Sequence, residues 1–347
     1  MSSSSSLPGT VGIIANPASG RDIRRLTSRA SVFPNAEKAS MIVRAVAGLD
    51  AAGVRDVLIM PDSGGISGQV FRALGESSAV RTGLHPRFID MPVSSSAADT
   101  MRATELMVQA GAGAIIVLGG DGTHRAVAAR SGRVPLIALS TGTNNAFPEM
   151  REATVAGLAA GLVACGAVPL HAVSRSNKVL RVRCDGHEDM ALVDVCVTGH
   201  NYVGSRAVWD SSLVEDLFVT FAGADAIGLS AIAGLLEPVA RDAPHGLHVQ
   251  CCGLVDTPQR VLVPIAPGLV SDVGIREYAR LPLGQCVTLE SRSGTIALDG
   301  EREIEFDRGQ RVDIELDPHG PLTIDVAAVM QHAAQHRLLR HYIGAGA

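Results

Sequence analysis

The sequence is nearly without lysine. Of its thirty Lys and Arg residues only Lys38 and Lys178 are lysines, and thirty-five acids leave a net charge of −5 over 347 residues. A chain with no basic surplus lacks the means to hold a phosphate backbone non-specifically, so nucleic acid is not the expected partner. Aromatics make up 3% of the chain, which leaves no interfacial belt to mark a membrane protein. The longest apolar run, 222–236, is short, Gly-rich and broken by Asp225; it reads as a buried helix, and no membrane span is expected. The six cysteines, at 165, 184, 196, 251, 252 and 286, contain no C-x-x-C pair, and the expected compartment is a reducing cytoplasm. The opening MSSSSS lacks the basic and apolar blocks of a signal peptide, so residues 1–9 read as a disordered tail with no export. Neither G-x-x-x-x-G-K-[ST] nor G-x-G-x-x-G occurs, which disfavours a P-loop enzyme and a Rossmann dehydrogenase.

What is present is globular: 46% hydrophobic and 19% charged residues, at a length that suits about two domains. VGIIAN (11–16), VRDVLIM (54–60), RFIDM (87–91), AIIVLGG (114–120) and VPLIALS (134–140) read as strands, the central ones apolar on both faces. Between them Ile42, Val43, Val46 and Leu49, and again Ala97, Met101, Thr104 and Val108, fall on helical faces. That alternation predicts an α/β domain with a parallel sheet over 10–165, its ligand loops at the strand C-terminal ends. From 166 to 326 the pattern becomes mainly antiparallel β-sandwich, with an Asp-Gly turn near 185 and helical material at 206–237. A helix over 327–347 carries His332, His336 and His341 and either binds a metal or offers a solvated face.

The strongest local signal is an apolar strand, Gly119-Gly120-Asp121-Gly122-Thr123, and then a helix. Glycines let backbone N–H groups approach an anion closely, and a helix N-terminus adds unpaired donors. An acid amid such a cradle repels phosphate unless it handles a metal or a proton, so Asp121 needs a reason to be there. His124, next in the chain, either touches phosphate or faces solvent. Two further strand-end loops share the chemistry. NPASG (16–20) offers Asn16, Ser19 and Gly20, as phosphate donors or as a helix cap. STGTNNAF (140–147) offers Gly142, Thr143, Asn144 and Asn145, in a site or in a surface turn. Ile296–Glu301 sets Asp299 and Glu301 in an Asp-Gly hairpin corner. Arg206 and Trp209 line a pocket or fill a core.

NPASG, GGDGT, STGTNNAF and LDGE (298–301), in that order, resemble the superfamily of NAD kinases, diacylglycerol kinases and sphingosine kinases, and PIAPGL (264–269) resembles the proline-containing strand end of the NAD kinases. The opening GIIANPASGRDIRRL with GTNNAF is most similar to the ATP-NAD kinase-like subgroup that includes the acetoin-catabolism X proteins. The resemblance implies a nucleotide cleft between the two domains, the chain end returning to the first, a homo-oligomer, and ATP, Mg²⁺ and NAD as ligands. It implies that Gly119, Gly120, Gly122 and Thr123 hold phosphate and ribose. Asp121 would be the base if the chain follows NAD kinases and Glu301 if it follows the lipid kinases, with Asp299 in the metal network. The Asn-acid pair and the Thr-Gly-Ser-Thr-Ala-Tyr stretch of NAD kinases are not clear in this chain; Gly228-Leu229-Ser230-Ala231 is a remnant of the latter at best. The 2′-hydroxyl of NAD is the first acceptor expected, a lipid or polyol the second, and a non-catalytic nucleotide sensor for a catabolic operon the third reading.

Overall fold

The computed structural model describes residues 9–19, 33–76, 83–142, 144–199, 208, 210–255, 257–289 and 293–340. Residues 1–8 of the expected tail, Gly20, Thr143, Arg206, Trp209 and His341 lie outside them.

The first half alternates strand and helix: β1 Thr10–Ala15, α1 Asn35–Ala51, β2 Asp56–Ile59, α2 Ile66–Glu76, β3 His85–Phe88, α3 Ala97–Gln109, β4 Ala114–Gly119, α4 Asp121–Ser131, β5 Leu136–Ser140 and α5 Ala153–Ala164. There follow β6 Ser174–Ser176, β7 Val179–Cys184, β8 His187–Ala191, β9 Asp194–Thr198, β10 Val214–Val219, α6 Ser230–Leu236, β11 His245–Cys252 and β12 Gln259–Ala266. The chain ends with β13 Leu269–Pro282, β14 Cys286–Leu289, β15 Gly294–Leu298, β16 Glu301–Phe306, β17 Val312–Asp317, β18 Leu322–Ile324 and α7 Val326–Gln335.

The first sheet has the order β3-β2-β1-β4-β5-β18-β6, parallel apart from β6. β4 is buried along its whole length. Ile116 and Leu118 face Ile42, Val46 and Ala156, whereas Ile115 and Val117 face Met107 and Val127. Both faces are therefore covered, which is why the β4 sequence is apolar without alternation. The order in which strands are added reverses between β1 and β4, so the loops after those two parallel strands open a crevice at the sheet's C-terminal edge.

The Ala/Gly-rich stretch 153–164 is helical because α1 and α5 touch backbone to backbone. A Cβ on Gly157 would lie 2.1 Å from the carbonyl oxygen of Ala45, and one on Gly48 would lie 2.2 Å from that of Thr154. Gly157→Val must push the helices apart, and we expect it to destabilise the protein by about 3 kcal/mol in urea unfolding; an unchanged midpoint would mean that the contact is slack.

A seven-stranded antiparallel sheet, β12-β13-β11-β10-β9-β15-β16, and a four-stranded one, β14-β17-β7-β8, form the sandwich. Phe218, Ile296 and Leu298 meet Val182 and Ile314 between them, and α6 covers the other face of the larger sheet. Two expectations need correction here. The span 206–237 contains the central strand β10, and α6 is confined to its end. The sequence VEDLFV disguised the strand because its buried Asp216 is accommodated by His248 Nε2 at 2.8 Å, with the imidazole stacked on Phe218. The change of domain also falls later than 165 and earlier than 326. β6 and β18 complete the first sheet, so the chain crosses to the sandwich at 177–178 and returns at 318–321. The crossings clasp each other: Asn177 Nδ2 donates to the Pro321 carbonyl (2.8 Å) and Thr323 Oγ1 (2.9 Å), and Gly320 N donates to the Asn177 carbonyl (2.9 Å). The final helix α7 then packs Val329 and Ala333 into the first domain's core.

No helix of the described residues is long and apolar enough to cross a membrane. The six cysteines form no disulfide.

Candidate functional site

Three loops leave the C-terminal ends of β1, β4 and β5, and side chains stitch them together. Asn16 Nδ2 donates to Thr123 Oγ1 (2.9 Å), and the hydroxyls of Ser19 and Thr141 are 2.9 Å apart. Gly120 lies against Asn145, whose Oδ1 would be 2.8 Å from a Cβ at that position. Asn145 Nδ2 in turn donates to Ser140 Oγ, which donates to the Gly142 carbonyl, both at 2.8 Å.

The NPASG loop is held from beneath by Lys38, on the first turn of α1 and fully buried. Its Nζ donates to the carbonyls of Asn16 (2.9 Å) and Ser19 (2.8 Å) and to Asn35 Oδ1 (3.2 Å). An ammonium is a compact donor that satisfies several converging carbonyls at once.

Asp121 opens α4, and the structure supplies the reason for an acid in the Gly-rich turn. Its carboxylate accepts from the Phe147 amide (2.8 Å) and the Ala146 amide (3.1 and 3.2 Å), tying the turn to the end of STGTNNAF. His124 neither touches solvent nor presents a cation to phosphate. It is fully buried, its Nδ1 bonds the Gly120 carbonyl at 2.8 Å, and burial lowers its pKa to about 4. The imidazole is neutral at pH 7 and fixes the orientation of the Gly120 peptide.

Across the cleft, Asp299 and Gly300 are the two left-handed residues of the β15–β16 hairpin, at φ +51° and +79°. The side chain of Asp299 is 0% exposed. It accepts from the amides of Leu192 (3.0 Å) and Val193 (2.7 Å) and stands 4.0 Å from Arg125 Nε. Arg125, on α4, also meets Asp189 (3.0 Å) and Glu303 (2.8 Å), so one guanidinium joins the first domain to two strands of the sandwich. The next residue, Glu301, reaches back over the Gly-rich turn: its carboxylate lies 3.6 Å from where a Cβ on Gly122 would be. The GGDGT and DGE turns thus face each other. On the third side Gly228, just ahead of α6, donates its N–H to the Pro264 carbonyl (3.0 Å) and sits beside Asn144. This brings the PIAPGL segment and the 228–231 stretch to the same rim. Asn144 Oδ1 is buried there without a hydrogen-bond partner.

The burial of Asp299 has a measurable consequence. Burial, with the charge of Asp121 adding to it, raises its pKa to about 6, against Arg125 and the two amides. The native state then holds a proton that the unfolded chain releases near pH 4, so this group's contribution to stability declines as pH rises from about 4 through about 6. We expect wild type to lose about 2–3 kcal/mol relative to Asp299→Asn across that window. Parallel stability curves from pH 4 to 7 would contradict it.

The residues suit a nucleotide: a Gly-rich turn and the first N–H groups of α4 face its phosphates, and the orphaned Asn144 oxygen is an acceptor for a ribose hydroxyl or a base N–H. A protein-only metal cage does not exist among the described residues, where no group of three or more His, Cys, Asp or Glu converges. His332 and His336 stack on each other with centroids 4.0 Å apart and no acid joins them. A magnesium ion would come with its nucleotide, sharing one or two carboxylates.

Comparison with known proteins fits this geometry. Residues 11–168 match the ATP-NAD kinase N-terminal domain, and 178–319 match the acetoin catabolism protein X C-terminal domain. Acetoin catabolism protein X of Cupriavidus necator is 44% identical over 343 residues, covering 97% of this chain and 96% of that protein. The chain belongs to the acetoin catabolism protein X family. The second matched segment, 178–319, begins and ends where the chain crosses between domains, so the family's C-terminal part is the inserted sandwich. Among solved structures, yeast NADH kinase complexed with NADH superposes with a TM-score of 0.55 at 12% identity, covering 98% of this chain and 90% of that one. A putative diacylglycerol kinase from Bacillus anthracis str. Sterne gives 0.49 at 14% identity, covering 91% and 97%. The fold is that of the NAD kinases.

Several supports of the site are not marked in the sequence: Lys38, Arg125 and Arg241, the last donating to the carbonyls of Ala146 and Phe147. The first had a signal in its rarity, being one of two lysines in the chain. The arginines stand in no motif.

Proposed function

We propose that this acetoin catabolism X family member is a phosphotransferase that moves the γ-phosphoryl group of ATP to a hydroxyl, with the 2′-hydroxyl of NAD as acceptor. The observation that carries the reading is the Glu301 carboxylate poised over the Gly-rich turn. Glu301 takes the acceptor's proton as its oxygen bonds to phosphorus and the bond to the β-phosphate oxygen breaks. Gly119, Gly120 and the α4 N-terminus align the phosphates, while Asn16, Ser19, Thr123 and Asn144 border the chain of phosphates and ribose. Gly20 and Thr143, outside the described residues, belong to the same two sequence motifs. Magnesium brought with ATP supplies charge neutralisation. Asp121 and Asp299 act by positioning, since their oxygens hold backbone amides. Phosphoryl transfer needs mainly alignment and charge stabilisation, which such a cleft provides.

The test is NADP formation from NAD and ATP·Mg²⁺. Glu301→Gln should lower turnover about 10²–10⁴-fold and leave ATP affinity within a few-fold. Product on a lipid or polyol, with none on NAD, would move the acceptor. Tight binding of one dinucleotide without any product would replace the enzyme by a sensor, a reading favoured by the absent Asn-acid pair.

A further inference from the structure

A second recess lies at the junction of the domains, on the side of the STGTNNAF loop away from Asp121. The peptide between Ala146 and Phe147 is held from both edges. Its N–H goes to Asp121 (2.8 Å), and its carbonyl accepts from Arg241 Nη2 (2.8 Å), which also reaches the Phe147 carbonyl (2.7 Å). N–H and C=O point in opposite directions across a trans peptide, so Arg241 approaches from outside the nucleotide cleft. Beside it opens a cavity bordered by Arg151, Arg175, Glu149 and Asp325, with room for about three water-sized groups.

The charges in this cavity do not cancel. Glu149 accepts from Arg151 (2.6 Å), and Asp325 lies 3.6 Å from Arg175 while also capping α7 at the Ala328 amide (3.1 Å). Each carboxylate is matched with one guanidinium. Arg241 is left over: its partners are two neutral carbonyls and the rings of Phe147 (5.1 Å) and Phe221 (4.0 Å). Burial lowers its pKa and the nearby Arg175 adds to the fall, while Glu149 and, more weakly, Asp121 oppose it. Arg241 and the loosely paired Arg175 therefore face one recess whose lining carries three guanidiniums and two carboxylates, a surplus of positive charge that a forked oxyanion would offset. The seat is rigidly built. Lys178 fixes the backbone around Arg241, donating to the carbonyls of Ala243 (2.8 Å), His245 (2.6 Å) and Ala240 (3.3 Å).

We propose that this cavity binds a small oxyanion, a phosphate or a carboxylate, through Arg175 and Arg241 with Arg151 at its rim. The site is separate from the nucleotide cleft and does not depend on the proposed reaction. Its ligand would touch both domains and the arginine that grips STGTNNAF, and so would brace that loop.

Phenylglyoxal labelling of the full-length protein, read peptide by peptide by mass spectrometry, tests the site. Inorganic phosphate and acetate serve as separate probes at constant ionic strength made up with chloride. One or both should slow labelling of Arg175 several-fold and saturably, with saturating ATP present or absent, and the effective anion identifies the class. Arg175→Gln should weaken that anion about ten-fold or more, read by calorimetry and by protection of Arg151. Arg151→Gln should weaken it less, because the Arg151 guanidinium is already held by Glu149 at 2.6 Å, against 3.6 Å for the Arg175–Asp325 pair. Labelling that ignores both anions, protection abolished by ATP, or an affinity unchanged in Arg175→Gln would overturn the proposal. The presence or absence of NADP formation bears on none of these outcomes.

Discussion

Lys38→Met is expected to destabilise the protein by about 3–5 kcal/mol in denaturant unfolding, the largest effect of any single change near the site. The methionine fills the volume of the stem but donates nothing. The carbonyls of Asn16 and Ser19 and the Asn35 side chain then lose a charged donor that no water can replace at a fully buried position. The damage extends beyond the loop, because Asn16 and Ser19 carry the bonds to Thr123 and Thr141. ATP affinity should fall by about ten-fold at temperatures where the variant is still folded. If Lys38→Met unfolds within 1 kcal/mol of wild type, roughly one ordinary hydrogen bond, the lysine is not the keystone of NPASG.

Asp121→Asn should be almost as severe and of a different kind. Asparagine keeps one acceptor oxygen and turns an amide donor toward the N–H groups of Ala146 and Phe147, so attraction becomes repulsion on one side. We expect about 2–3 kcal/mol of lost stability. ATP binding should weaken along with turnover, because the loop bearing Asn144 and Asn145 is released. Glu301→Gln, by contrast, should spare binding. A variant Asp121→Asn that binds ATP normally and has lost turnover alone would return the role of base to Asp121.

The parts of this molecule that were legible in the sequence are those whose physics is local. β4 and its turn could be read because a strand buried on both faces is apolar throughout and a Gly-rich turn must follow it. The Asp-Gly corners at 185–186 and 299–300 could be read because left-handed backbone favours those residues. What escaped depends on distant partners. β13 carries Arg276, Glu277, Tyr278 and Arg280 on an exposed stretch, so its 14 residues show no apolar alternation at that end. β6 has three residues and exists only by pairing with β18. Asp299 looks like an ordinary hairpin corner until the amides of Leu192 and Val193 arrive from the bend between β8 and β9. Arg125 and Arg241 are single side chains whose meaning is their partners in the other domain.

The clasp between the two crossings also dictates an order of assembly during synthesis. Asn177 emerges from the ribosome 146 residues before its partner Thr323, an interval of roughly 7–30 s at ordinary elongation rates. Throughout that time β5 has an open edge and α5 lacks the cover of α7, while the entire sandwich is being made. The sandwich must therefore reach its own fold as a self-contained insert before the earlier-born sheet can close. The domain that starts first on the ribosome is the one that finishes last.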